Sequence, residues 1–168
     1  MPWIRGSGIE VWLVSSPFAP QGNPAMSHRC LSACSPAELI AARSEAFTRA
    51  DFGFIYDSYH SASNFRRQFA TRDEYLAFGR ESLGRDYRIV SCHILAEKVE
   101  EHESQVVFLM EMNVHGKLQR YAELAWLRLE NAAWHYHRGQ KMSAEEFPAD
   151  PLSLTISDFA RLDPATIF

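Results

Sequence analysis

The sequence predicts an α+β fold in which three N-terminal helices pack under a curved four-stranded antiparallel sheet. Apolar residues recur at helical spacing between Ser35 and Leu83, and the pattern then changes to the two-residue alternation of strands. The chain has 168 residues, of which 46% are hydrophobic, enough for one domain with a core. We expect a loosely ordered N-terminal arm at 1–34, the α+β domain at 35–140 and a C-terminal tail at 141–168.

The arm is predicted from its composition. The segment SSPFAPQGNPAMS is rich in Ser, Pro and Gly and shows no period. The neighbouring GIEVWLV would add one short strand. An alternative is that the native chain starts at Met26, because nothing in the preceding stretch needs a core.

The first helix is predicted to begin at Ser35. The string Ser-Pro-Ala-Glu is a capping box, with Pro36 at the first helical position and Glu38 reaching back to the cap. Arg43 falls on the apolar stripe, so it either extends its charge to solvent or meets a buried acid. The stripe consists of Leu39, Ile40, Ala46, Phe47 and Ala50.

Two more helices follow. The second starts near Asp51 and carries Phe52, Ile55, Tyr56 and Tyr59 at helical spacing. The third opens at another predicted capping box, Thr71 to Glu74. Gly84 is predicted as its C-cap. One side of this helix holds Tyr75, Leu76, Gly79 and Leu83.

Strand pairing can be predicted from the hairpin turns. A turn at Gly116-Lys117 would pair His115 with Leu118 and place Met110 opposite Glu123. A turn at Asn131-Ala132 would set Leu127 beside Tyr136. The resulting inner face is apolar except for one acid, and its members are Val106, Phe108, Met110, Met112, Tyr121, Glu123, Ala125, Leu127, Leu129, Trp134 and Tyr136.

Glu123 is the most informative residue of this face. A buried carboxylate costs several kcal/mol unless it has a partner or takes up a proton. We expect it to accept a hydrogen bond from at least one of Arg43, Tyr59, His60 and Tyr121. Two interpretations stay open: a structural tie to Arg43 or His60, or a pocket acid.

Two stretches resemble the YchJ-like domain, a bacterial branch of the nuclear transport factor 2-like fold. The stretch AFTRADFGFIYDSYH, Ala46 to His60, is similar to the family's opening helices, with Tyr59 in place of a tryptophan. The stretch ELAWLRLENAAWHYHRG is similar to its closing hairpin at Glu123, Trp134, Tyr136 and Gly139. The resemblance implies a cone-shaped nuclear transport factor 2-like fold and the location of a site, but no reaction.

The chain also departs from that family. Leu124-Ala125 stands where the family has an Arg-Ser pair, and Arg138 replaces a frequent Asp. The Cys-Pro-Cys-Gly zinc modules that often flank the domain, the SEC-C motif, do not occur in this sequence. Any partner binding by those modules is therefore not implied here.

Our leading functional prediction is a non-enzymatic module that binds a small apolar or weakly polar ligand, or a protein, through a closed cavity. The alternative is a lyase or isomerase that uses Asp57 and His60, three residues apart on one helix, together with Glu123. Plain capping and packing also explain Asp57 and His60. The predicted pocket is lined by Arg43, Phe47, Tyr56, Tyr59, His60, Phe108, Met110, Tyr121, Glu123, Trp134 and Tyr136.

The outer face of the sheet is unusually apolar for a solvated surface. We expect either a homodimer interface there or a cover formed by the arm or the tail. The interface residues would be Leu109, Leu124, Trp126, His135 and His137.

Other classes are disfavoured. The net charge of −4 gives no basic field for nucleic acid, and no run approaches the roughly 18 apolar residues of a membrane span. Three cysteines, an odd number, argue against a disulfide framework and favour a cytoplasmic location with unreacted thiols. His28, Cys30 and Cys34 are too loosely spaced for zinc, and we expect no metal and no cofactor.

Overall fold

The computed structural model describes Leu31 and residues 33–168, so most of the predicted arm, with its GIEVWLV strand, His28 and Cys30, lies outside the described residues. The α+β prediction is confirmed: three helices precede one antiparallel sheet of strand order β1-β2-β3-β4. Within the described part of the chain, no helix has the length and apolar character needed to cross a membrane.

The first two helices begin where the sequence predicts. Helix α1, Pro36–Thr48, starts at a complete capping box, in which Ser35 Oγ accepts from the Glu38 amide and the Glu38 carboxylate accepts from the Ser35 amide. Its first turn is tied to the sheet, because the Ala37 amide donates to Glu97 at 2.9 Å. Helix α2, Phe52–Asp57, is capped by the Asp51 side chain.

The third helix is longer than predicted. Helix α3, Arg72–Phe78, begins at Thr71, but Glu74 accepts from the Ala70 amide, so the predicted capping box is only half formed. The chain then stays helical through a π turn at Gly79–Leu83 and a last turn at Gly84–Asp86. The prediction that Gly84 caps the helix is wrong, because its φ of −65° continues the right-handed helix.

Four strands form the sheet. They are β1 (Tyr87–Val99), β2 (Glu103–Val114), β3 (Lys117–Glu130) and β4 (Ala133–Ser143). The predicted four-stranded antiparallel sheet is thus confirmed, and β4 extends to Ser143.

The predicted register between β2 and β3 is wrong by two residues. The turn is His115-Gly116, so Val114 pairs with Lys117 and Phe108, not Met110, lies opposite Glu123. The reason is backbone geometry, because both turn residues have positive φ, as a two-residue hairpin of this twist requires. An error of two keeps the parity, so Glu123 stays on the inner face.

The register between β3 and β4 begins as predicted. Leu127 pairs with Tyr136, and both Asn131 and Ala132 have positive φ. A bulge then leaves His137 as an extra residue, because Trp126 pairs with Arg138. Beyond the bulge the faces of β4 are exchanged.

The helices and the C-terminal segment cover opposite faces of the sheet. Leu109 and Leu124 are buried on the outer face beneath Leu154 and Phe159, so the expectation that these two residues form an open interface is wrong. The tail covers them with apolar residues of its own, which are themselves buried in this contact. Trp126, His135 and His137 are half-buried, and dimerisation stays a prediction.

Candidate functional site

Glu123 lies on the inner face and is 0% exposed, as the sequence predicts. It shares that face of β3 with Tyr121 and Ala125, which are also buried. A carboxylate in this position is stable only if hydrogen bonds or opposite charge replace its hydration. The side chains that surround Glu123 therefore define the candidate site.

Tyr136 is one such partner. Its hydroxyl donates to Glu123 Oε1 at 2.6 Å. Burial, assisted by the charge of Glu123, raises the pKa of Tyr136 well above its ordinary value, so the hydroxyl keeps its proton. Tyr136 was predicted to share this face but was not among the four expected partners.

Gly139 makes this hydrogen bond geometrically possible. It pairs with Ala125, which lies two residues from Glu123 on the same face of β3. A Cβ at Gly139 would lie 2.2 Å from Tyr136 Oη and 2.7 Å from Glu123 Oε1, closer than non-bonded atoms approach. The absence of a side chain at position 139 thus leaves the notch through which Tyr136 reaches Glu123.

Arg43 supplies a positive charge to the same interior. It is 1% exposed, so it does not extend to solvent. Its Nη1 donates to Ser58 Oγ and, at 3.3 Å, to the Ile55 carbonyl. Its guanidinium lies 4.2 Å from the ring centroid of Tyr59 and 4.7 Å from that of Tyr136. Among the described residues, Arg43 Nη2 has no hydrogen-bond partner.

Tyr59 is positioned by backbone pairing rather than by helix α2. The Tyr136 amide donates to the Ser58 carbonyl at 2.9 Å, and the His60 amide donates to the Tyr136 carbonyl at 2.8 Å. Tyr59 therefore lies along the edge of β4 that does not pair with β3, and its ring stacks on that of Phe65 with the centroids 4.1 Å apart. Burial raises the pKa of Tyr59, and Arg43 partly opposes that shift.

We call Arg43, Tyr59, Tyr136 and Glu123 the Arg43 centre. Side chains fill the space around it, and most of the predicted pocket residues are buried there: Phe47, Tyr56, Phe108, Met110 and Tyr121. Trp134 is half-buried.

The centre is closed in this structure. A surface cleft of about 230 Å³ lies on the outer side of the sheet, and Glu123 does not line it. Its lining residues are Lys98, Glu100, Glu103, Ser104, Gln105 and Trp126. The cleft belongs to another part of the molecule and does not reach the Arg43 centre.

The predicted acid–base set has separate partners. Asp57 accepts two hydrogen bonds from Arg72, at 2.9 and 2.8 Å. His60 Nδ1 accepts from the Ala62 amide at 3.1 Å, and its ring meets His137 edge-on at 5.3 Å. The structure thus shows Asp57 in an ion pair and His60 in a turn, rather than a pair poised for proton transfer.

The expectation that the cysteines form no disulfide is wrong for Cys34. Cys34 is disulfide-bonded. Cys92 is a free, buried thiol whose pKa is raised mainly by burial and further by Glu123. Over Leu31 and residues 33–168, no three His, Cys, Asp or Glu side chains are grouped as a metal site would need.

Phe168 was not identified from the sequence. Its ring approaches within 2.7 Å of the place where a Gly139 Cβ would stand, so it packs over the notch. A glycine inside a strand pattern is a signal of such a close approach. Nothing in the composition of the tail identified Phe168 as the side chain that approaches.

Comparisons with known proteins agree with this architecture. The family model of YchJ, middle NTF2-like domain, matches residues 35–139. A solution structure of a SEC-C motif containing protein from Rhodopseudomonas palustris is similar, with a TM-score of 0.54 and 21% identity over 67% of this chain and 83% of that one. At this identity the likeness shows the fold alone.

A second solved structure gives a weaker likeness. It is an NTF2-like protein with a cystatin-like fold from Novosphingobium aromaticivorans, with a TM-score of 0.48 and 16% identity over 71% of this chain and 86% of that one. No curated protein matches the chain.

Proposed function

We propose that this chain, which belongs to the YchJ middle NTF2-like domain family, is a non-catalytic module that binds a small, mostly apolar ligand with one hydrogen-bond acceptor. The Arg43 centre is the proposed site. One observation carries the proposal: Arg43 is buried, yet its Nη2 has no hydrogen-bond partner among the described residues.

Side chains fill the centre in this structure, so a ligand requires the centre to open, and the chemistry of the centre then fits such a ligand. A buried donor without an acceptor costs about 1–3 kcal/mol, and a carbonyl or ether oxygen would remove that cost. The rings of Tyr59 and Tyr136, which meet edge-on at 5.3 Å, form an apolar corner against the guanidinium. Because Glu123 lies beside Tyr136, a neutral ligand fits better than an anion.

The lyase or isomerase alternative has less support. Its acid–base chemistry requires groups within hydrogen-bond reach of one substrate. Asp57 is held by Arg72, and His60 Nδ1 is held by the Ala62 amide. We therefore assign no catalytic residue.

Fluorescence titration with prodan tests the proposal. Prodan is a neutral naphthalene ketone whose emission shifts to the blue when it leaves water, and it carries the required acceptor. We expect one prodan to bind per chain, and we expect Arg43→Met to weaken binding at least tenfold. The matched control is Arg49→Met, because Arg49 follows the same helix but is exposed.

Circular dichroism and thermal melting establish that both variants are folded. Equal prodan affinity in Arg43→Met and the wild-type chain would contradict the proposal. So would the lack of stoichiometric binding to the wild-type chain.

A further inference from the structure

We propose that residues 163–168, here called the strap, form the lid of the Arg43 centre, and that this lid opens by leaving the edge of β4. The nature of the site beneath the lid rests on the function proposed above. The movement of the strap depends only on the contacts of the strap itself.

The strap is held as an additional strand on β4. The Phe168 amide donates to the Gly139 carbonyl at 3.0 Å, and the Gly139 amide donates to the Phe168 carbonyl at 3.2 Å. Ile167 forms an antiparallel bridge with Gln140. The Gln140 side chain also donates to Thr166 Oγ1 at 3.2 Å and to the Asp163 carbonyl at 3.3 Å.

Phe168 closes the notch above the centre. Three groups crowd the position of a Gly139 Cβ: Tyr136 Oη, Glu123 Oε1 and the Phe168 ring. Phe168 also packs against the inner core from its edge. Its ring therefore covers the Tyr136–Glu123 hydrogen bond at the point where no side chain of β4 does so.

The other segment on the edge of β4 is fixed more firmly. The chain at 58–60 pairs with Tyr136 on the far side of the His137 bulge, and both Ser58 and Tyr59 are fully buried. Releasing that segment would expose Tyr59 and break the bond from Arg43 to Ser58. Its opening would therefore disrupt the core.

The strap, in contrast, has little buried surface. Residues 163–166 are exposed, and Ile167 and Phe168 are only half-buried. The preceding segment stays attached through Leu154 and Phe159, which are buried against the outer face. Segments with few buried apolar contacts open at a low free energy without global unfolding. The strap is thus expected to hinge near Leu162 while the rest of the tail stays in place.

Opening would expose the Tyr136–Glu123 side of the centre at Gly139, and a ligand would reach the guanidinium of Arg43 by displacing the Tyr136 ring that covers it. With the Phe168 ring gone, the notch is bounded by a residue that has no side chain. The Tyr136–Glu123 hydrogen bond then forms the floor of the opening, and the guanidinium of Arg43 lies under the Tyr136 ring.

Hydrogen exchange measured by NMR tests the movement without any ligand. The amides of Gly139 and Phe168 form the hydrogen bonds between β4 and the strap, whereas those of His60 and Tyr136 form the hydrogen bonds between β4 and the chain at 58–60. We expect the first two amides to exchange at least tenfold faster than the second two. Equal exchange of the two pairs would overturn the lid.

Prodan association, followed by stopped-flow fluorescence, tests the gate. Phe168→Ala is expected to raise the association rate about fivefold, with Leu152→Ala as a control because Leu152 is exposed in the same tail. A second variant, Gln140→Cys with Ile167→Cys, joins the bridge partners by a disulfide and should slow association until it is reduced. The wild-type chain with and without reductant controls for the disulfide of Cys34.

The two proposals fail in different ways. Association at the same rate in the locked, reduced and Phe168→Ala proteins would overturn the lid. Fast exchange of the strap amides without prodan binding in any variant would support the lid movement and overturn the proposed function.

Discussion

The hydroxyl of Tyr136 donates to the carboxylate of Glu123 at 2.6 Å, across the notch that Gly139 leaves open in β4. This contact joins the neighbouring strands β3 and β4, and it explains why an acid is tolerated on an apolar face. The guanidinium of Arg43 lies over the Tyr136 ring, 4.7 Å from its centroid. The stability of the centre therefore depends on these four positions.

Removing the donor should destabilise the fold. We expect Tyr136→Phe to lower the free energy of unfolding by about 1–3 kcal/mol, because it takes a hydrogen bond from a buried carboxylate. Urea unfolding measures the change. Glu123→Gln, which keeps an acceptor oxygen, should be tolerated better than Glu123→Ala, and the reverse order would contradict the role of the hydrogen bond.

A methyl group in the notch should also be costly. Gly139→Ala places a Cβ 2.2 Å from Tyr136 Oη, so the tyrosine or the strap must move. We expect a loss of about 1–3 kcal/mol in thermal or urea unfolding. Gly84→Ala is the matched control, because a Cβ there meets only ordinary contacts at 3.7 Å and the backbone is helical. That control should be neutral or slightly stabilising.

Arg43 and Glu123 should be coupled through Tyr136. Arg43→Met and Glu123→Leu each leave one charge in the interior, whereas the double variant removes both. The double variant is expected to lose less stability than the sum of the two single changes, by about 0.5–3 kcal/mol. A double-mutant cycle in urea measures this difference. Strict additivity would show that the two charges do not sense one another.

Stability should fall in mild acid because of His137. Burial, with Arg128, His60 and Arg138 nearby and only Glu103 opposing, lowers its pKa to about 4. As the pH falls, His137 takes up a proton near pH 6.5 in the unfolded chain but only near pH 4 in the folded chain. The free energy of unfolding therefore decreases as the pH falls from about 6.5 to about 4. Since His137 is half-buried, we expect a loss of about 1 kcal/mol.

Urea unfolding at pH 7 and pH 4.5 measures the His137 effect. His137→Gln should reduce the difference between the two conditions. The matched control is His102→Gln, because His102 is exposed in the β1–β2 turn. An equal pH dependence in both variants would exclude His137 as the source.

Local signals explain what could be predicted. The helix start at Ser35 follows from a capping box that needs only four residues, and the strands follow from a two-residue period. The prediction that Glu123 lies on the inner face stayed correct although the predicted register was wrong by two residues, because a shift of two residues keeps every side chain on the same face of the sheet. The position of the hairpin turn needed the φ angles of His115 and Gly116, which composition does not fix.

The partners of the site residues are not local. Asp57 and His60 are close in sequence, yet the Asp57 carboxylate accepts hydrogen bonds from Arg72, because α3 packs beside α2. Tyr136 meets Glu123 only because the His137 bulge and Gly139 let its side chain reach back along the strand.

The sequence by itself determined the α+β class, the N-caps at Ser35 and Thr71, the four strands and the burial of one glutamate, since each depends on periodicity or on contacts within a few residues. Only the tertiary structure decided that Tyr136 is a hydrogen-bond donor to Glu123, that the tail covers Leu109 and Leu124, and that Phe168 closes the notch at Gly139. These contacts join segments separated by many residues, and their free energy exists only once the sheet has brought those segments together.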